Sequence, residues 1–189
     1  EPTFDFTKSF GDQASLFAAY DVGDRLTLQV AGRRSTVNFE QGDVRERPVE
    51  PLDIMIALHA CDTATDVAIH LGIRAGATLI VCSPCCHKQL RPQLKSPPVM
   101  APMLQHGIHL GQQAEMLTDS LRALLLQAHG YDTQVFEFVS LEHTSKNKMI
   151  LAIKRAQPLP AEPVLAQIRA IKDFYAVREH CLETLLAGD

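Results

Sequence analysis

At 189 residues, with 46% hydrophobic and 21% charged residues, the chain can bury one sizeable core but not two, and its composition excludes a disordered or fibrous protein. A net charge of −4 and a pI near 6.1 exclude a broad cationic field, so any nucleic-acid partner would need a local basic patch. No apolar run nears the ~20 residues that span a bilayer, the opening EPTFDFTKSF lacks a secretory pattern, and five cysteines, three of them crowded at Cys82, Cys85 and Cys86 and one far away at Cys181, suit reduced thiols; together these predict a cytoplasmic protein with no membrane partner.

Residues 1–50 carry the fewest signals. Ala14 to Tyr20 reads as a short helix, Arg25 to Val30 alternates like a strand, and Thr36 to Phe39 is a second β-like run. The charged, proline-bearing stretch Arg45 to Pro51 is a connection. A core over residues 51–156 follows, and residues 157–189 form a linker and a terminal helix.

The core opens on two short apolar runs, Asp53 to Ala60 (DIMIALHA) and Ala77 to Val81 (ATLIV), the pattern of parallel strands covered on both faces. Between them Ala64, Val67, Ala68 and Leu71 recur at helical spacing, with Asp62 or Thr63 as cap and Gly72 and Gly76 at the exit. A right-handed strand-helix-strand unit brings the polar ends of both runs, Cys61-Asp62 and Pro84 to His87, to one carboxyl edge, where open α/β sheets bind ligands. Pro92, Pro97, Pro98 and Pro102 then forbid a continuous helix and predict an irregular loop on that edge. Gln112 to His129 is a strong amphipathic helix ending at Gly130. Gln134 to Val139 and Met149 to Ile153 predict a terminal antiparallel pair at a sheet edge, whose connection carries His143, Lys146, Asn147 and Lys148 toward the site. Val164 to Leu186 reads as one terminal helix that docks on the domain or on a second copy, giving a homo-oligomer.

LHACDTATD, IVCSPCCHKQLRPQL, QAEMLTDSLRALLL and FEFVSLEHTSKNKMILAIK, in this order and spacing, resemble a family of S-adenosylmethionine-dependent methyltransferases that combine LHAC-type and PCCH-type strand ends. The resemblance covers about residues 37–155. It implies a class I methyltransferase-like (Rossmann-like) α/β three-layer sandwich, mostly parallel with a terminal antiparallel hairpin. It further implies S-adenosyl-L-methionine as cofactor and an unidentified methyl acceptor: RNA, protein or small molecule. By position, Gly42-Asp43 resembles the acidic turn that meets the adenine amine, with His59, Cys61 and Asp62 as the other cofactor-side positions. The chain departs from the pattern upstream, where Gly11, Gly23 and Gly32 form no GxGxG turn. The amino-terminal part is therefore expected to be incomplete, as in a fragment of an enzyme or a non-catalytic module that has lost the cofactor loop.

The candidate catalytic residues are His87, Asp62, Cys85 and Cys86. His87 or Asp62 would remove a proton from the acceptor, and the Pro-Cys-Cys-His turn would shape its pocket. Two cysteines on adjacent strand ends also suit covalent base methylation. Cys82-Ser-Pro-Cys85 has the spacing of a redox dithiol or half a zinc site. Cys86, His87, Cys61 and His59 could complete a tetrahedral set, but no second C-x-x-C exists, so no metal is assigned, and Cys82 reads first as a small core residue, ahead of the redox and metal readings. Asp66 reads as a helix cap, His59 as core histidine or catalyst, and Lys146 and Lys148 as solvated loop charges.

Overall fold

The computed structural model describes residues 16–20 (backbone only), 44–58, 60–138 and 147–188. The expected strands at Arg25 to Val30 and Thr36 to Phe39, and the positions Asp43, His59, His143 and Lys146, lie outside them. Five strands form one mixed sheet: β1 (Leu16–Tyr20), β2 (Ile54–Leu58), β3 (Leu79–Ser83), β4 (Tyr131–Glu137) and β5 (Lys148–Lys154), in the spatial order β1-β2-β3-β5-β4. β1, β2 and β3 are parallel. β5 runs antiparallel to both β3 and β4, so β4 points the same way as the first three. Helices α1 (Thr63–Arg74), α2 (Ala101–Leu104), α3 (Gly107–Ala128), α4 (Glu162–Tyr175) and α5 (Cys181–Ala187) flank this sheet in an α/β fold.

The expected helix at Ala14 to Tyr20 is instead, over its described residues, strand β1, paired residue by residue with β2. A seven-residue helix has almost no stability of its own, whereas the sheet edge offers this apolar run a full ladder of hydrogen bonds. The two apolar runs of the core do become adjacent strands, with Ala57 opposite Cys82 and Leu58 opposite Ser83. β3 continues to Ser83, further than the apolar run alone suggests, and stops at Pro84, which has no N–H for a ladder.

Alternation across this register builds the core. Met55 and Ala57 of β2, Ile80 and Cys82 of β3, and Ile150 and Ala152 of β5 are buried neighbours, packed with Ile69 of α1 and with Leu117, Leu121 and Leu125 of α3. Each fully buried Leu or Ile side chain in such a cluster contributes about 1.5–3 kcal/mol. Cys82 is thus a core residue, and burial pushes its thiol up to about 12.

Three expected boundaries move. Gly72 is not the helix exit but an interior residue of α1, buried against the sheet. The exit is made by Gly76, whose φ of +74° favours glycine. Helix α3 begins at Gly107, ahead of the apolar stripe that betrays it. The single terminal helix is two, α4 and α5, separated at Ala176 with φ +54°. The break is stabilised from outside: Gln93 Oε1 accepts the N–H groups of Arg178 and Glu179, each at 3.0 Å, and Gln93 Nε2 donates to Glu179 O at 2.9 Å. No glycine or proline marks it, because its cause, Gln93, lies 85 residues before Arg178. It turns α5 back to bury Leu182 and pack beside α1.

The closeness of α1 to the sheet gives a test. A Cβ at Gly72 would lie 3.0 Å from Met55 Cβ and 3.1 Å from Ile80 Cδ1. Helix propensity alone favours alanine by about 1 kcal/mol, but overpacking of this kind costs about 1–3 kcal/mol. Gly72→Ala is expected to lower the urea midpoint, and a raised midpoint would show that the helix has room to spare.

Candidate functional site

Parallel pairing of β2 and β3 sets their carboxyl ends side by side, and the chain turns there with Cys61 and Asp62 on one side and Pro84 to His87 on the other. The Sγ atoms of Cys61 and Cys85 are 3.3 Å apart, those of Cys85 and Cys86 3.7 Å, and those of Cys86 and Cys61 3.6 Å. None of the five cysteines forms a disulfide. Cys61, Cys85 and Cys86 therefore form a triangle of thiols in which one ion could touch all three. A metal held at the ~2.3 Å typical of zinc–sulfur bonds needs tetrahedral S···S edges of about 3.8 Å, close to what is already present.

This is a different set from the one that spacing suggests. The C-x-x-C pair is divided by the pleat of β3: Cys82 points into the core, while Cys85 lies beyond the strand end. Cys61, far away in sequence, takes its place. Burial, and then contacts with Cys61 and Cys86, push the Cys85 thiol up to about 12. Without a metal it is protonated at neutral pH and a weak nucleophile.

Asp62 has φ +53° and ψ −120°, outside the comfortable regions for an L residue. Such a conformation costs of order 1–3 kcal/mol, and several contacts hold it. Its Oδ1 accepts N–H groups from Lys88 at 2.8 Å and Gln89 at 3.1 Å, while its backbone carbonyl accepts Arg122 Nη2 at 2.8 Å. The side chain makes no cap to α1; it ties the end of β2 to the turn after β3.

Next to these turns, joined to them through the Asp62 carbonyl and His87, lies a buried ionic group that the sequence reading misses. Arg122 of α3 donates through Nε and Nη2 to the two carboxylate oxygens of Asp66 on α1, at 2.9 and 2.8 Å. Its Nη1 lies 3.3 Å from Asp119 Oδ1. Asp66 is thus an ion-pair partner rather than a helix cap. Burial works against the Arg122 charge, but the hydrogen bonds and charge of Asp66 outweigh it, and its pKa lies above the ordinary arginine value. Asp119 Oδ1 also meets His87 Nε2 at 2.9 Å. A carboxylate only accepts, so Nε2 of His87 carries a proton in this contact, and in the neutral ring Nδ1 holds the lone pair. His180 is buried nearby with both ring nitrogens lacking a hydrogen-bond partner among the described residues, and burial lowers its pKa.

A cavity of about 320 Å³ opens beside the thiols, lined by Cys86, His87, Lys88, Arg91, Gln112 and Glu115, among others. Lys148, an expected rim charge, pairs with Glu115 at 3.1 Å. The signal for the missed residues was present: Arg122 lies one helical turn from Thr118 and Leu125, inside the apolar stripe of α3, and a cation there calls for a buried acid.

Asp62 gives the second test. Asp62→Ala removes the acceptor of two amides, and hydrogen exchange at Lys88 and Gln89 is expected to speed up by roughly tenfold, the equivalent of one lost hydrogen bond. Asp62→Asn keeps the oxygen and should exchange like the parent; equal rates in all three proteins would mean that the carboxylate does not hold this turn.

No described helix is long and apolar enough to cross a membrane. No curated protein and no solved structure gives a significant match. Residues 17–93, which run from β1 through the thiol-bearing turns, match a family model described as a methyltransferase domain. This segment of the chain, ending just past the His87 turn, is methyltransferase-like.

Proposed function

We propose that the chain is a metal-thiolate protein built on a methyltransferase-like domain, in which Cys61, Cys85 and Cys86 bind one thiophilic divalent cation, zinc being the natural choice. The observation that supports this reading is the triangle of three sulfurs within 3.3–3.7 Å. Sulfur ligands select soft or borderline ions, and three protein ligands leave a fourth position exchangeable, as in zinc sites that activate a ligand. The same sulfurs could instead cycle between thiol and disulfide, since Cys61 and Cys85 are in contact.

Protein purified without chelator is expected to carry one zinc per chain by elemental analysis. Cys61→Ser, Cys85→Ser and Cys86→Ser should each weaken zinc by at least about a hundredfold, beyond the loss typical of outer-shell changes. Cys82→Ala should leave the stoichiometry intact. Metal-free protein with readily oxidised thiols would favour the redox alternative.

The match of residues 17–93 to a methyltransferase domain favours a second reading, methyl transfer from S-adenosylmethionine in a Rossmann-like fold. The described residues fit the acceptor side of such a site: a cavity, and a His87 imidazole oriented by Asp119 with Nδ1 as its basic nitrogen. On the cofactor side, Asp43 and His59 lie outside the described residues, and Asp62 is engaged by two backbone amides. The cofactor, when bound, supplies an electrophilic methyl group. His87 would accept the acceptor's proton, and the buried wall behind it would limit water. Calorimetry is expected to give a binding heat with S-adenosylmethionine that Asp43→Ala diminishes; a parent chain with no heat would leave a methyltransferase-like module without the cofactor.

A further inference from the structure

We infer that the cavity beside the thiols seats a small acidic thiol whose sulfur becomes the fourth ligand of the metal, an inference that rests on the metal-thiolate reading above. Cys86 joins the two features, being one corner of the sulfur triangle and part of the cavity wall. An ion held by Cys61, Cys85 and Cys86 would therefore lie next to this space. A single water as fourth ligand needs only about 10–15 Å³ of such volume, whereas the cavity offers about 320 Å³. The space is that of an organic molecule.

The lining selects its charge. Lys88 and Arg91 contribute two cations, and the one acid, Glu115, is already ion-paired with Lys148. Arg91 is held in position: its Nη2 donates to Gly107 O at 3.0 Å, and a Cβ at Gly107 or Gly111 would come within 3.6 or 3.9 Å of the guanidinium. Arg91 thus lies in contact range of the first turns of α3, whose amino end adds positive potential. A guanidinium fixed in this way suits a carboxylate, which it can meet through two parallel hydrogen bonds.

A ligand with a thiol at one end and a carboxylate at the other meets both requirements. On binding, its S–H bond breaks, a metal–sulfur bond forms, the proton passes to solvent and a water leaves the metal. No electron is transferred and no further reactant is needed. The bound sulfur is a thiolate at neutral pH, since a metal deprotonates a coordinating thiol outright. The edge would then hold an activated sulfur nucleophile within the segment that matches a methyltransferase domain.

The test uses the full chain loaded with cobalt(II), whose sulfur-to-metal charge-transfer band reports the number of thiolate ligands. Titration with 3-mercaptopropionate should intensify the band, with half-saturation about threefold to fivefold below that of uncharged 2-mercaptoethanol, the order expected for one exposed ion pair. Arg91→Ala should remove this preference while leaving the starting spectrum unchanged, and Lys88→Gln, at an exposed position, provides a second variant should the first fold poorly. A chain that shows no charge-transfer band removes the metal reading and this inference with it. A band that neither thiol strengthens, that either thiol abolishes, or that both strengthen equally overturns the inference and leaves the metal site standing.

Discussion

The bidentate pair between Arg122 and Asp66 is the interaction on which the carboxyl edge depends. Both side chains are 1% exposed, and taking two charges out of water costs several kcal/mol per ion before their attraction and hydrogen bonds offset it. Such a pair adds little net stability. What it adds is position: the guanidinium joins α1 to α3, donates to the backbone carbonyl of the strained Asp62, and reaches Asp119, which in turn holds His87. Removing one partner leaves the other charged and buried, which is why the four residues behave as one unit.

That unit is tied to the thiol-bearing turns through Asp62 and His87. Asp62 connects the two levels, with its carbonyl on Arg122 and its carboxylate on the turn that carries Cys85, Cys86 and His87 into Lys88. The sulfur triangle thus rests on strand ends whose separation is set by parallel pairing, and on turns clamped by a buried charge. A rigid floor of this kind favours a site whose ligands must keep their separations, as a metal requires. A methyltransferase-like segment and a thiol cluster that could hold a metal ion share this edge without conflict: the carboxyl edge is a common place for ligands, and its side chains decide which.

The strand-helix-strand unit was legible because its periodicities differ so plainly: unbroken apolar runs for β2 and β3, a helical stripe for α1, and polar residues at each end. The terminal antiparallel pair was legible for the same reason. The expected helix at residues 14–20 failed because an isolated apolar run of that length is compatible with either state, and pairing with β2 decided it. The division of the terminal helix failed because its determinants, Gln89 and Gln93, act from the turn after β3. Asp119 and Arg122 lie three residues apart on the buried side of α3, and the approach of α1 supplies Asp66, the acid that a cation inside this apolar stripe calls for.

The sequence by itself determined which residues could do chemistry at the edge, since strand period and chain direction place Cys61, Asp62, Cys85, Cys86 and His87 beyond two neighbouring strand ends. It could not say which cysteines would meet. Spacing along the chain pairs Cys82 with Cys85, but alternate residues of a strand face opposite sides of the sheet, and the pleat sends Cys82 into the core. Tertiary structure replaced it with Cys61, because lateral distance between hydrogen-bonded strands is shorter than the path through the intervening helix.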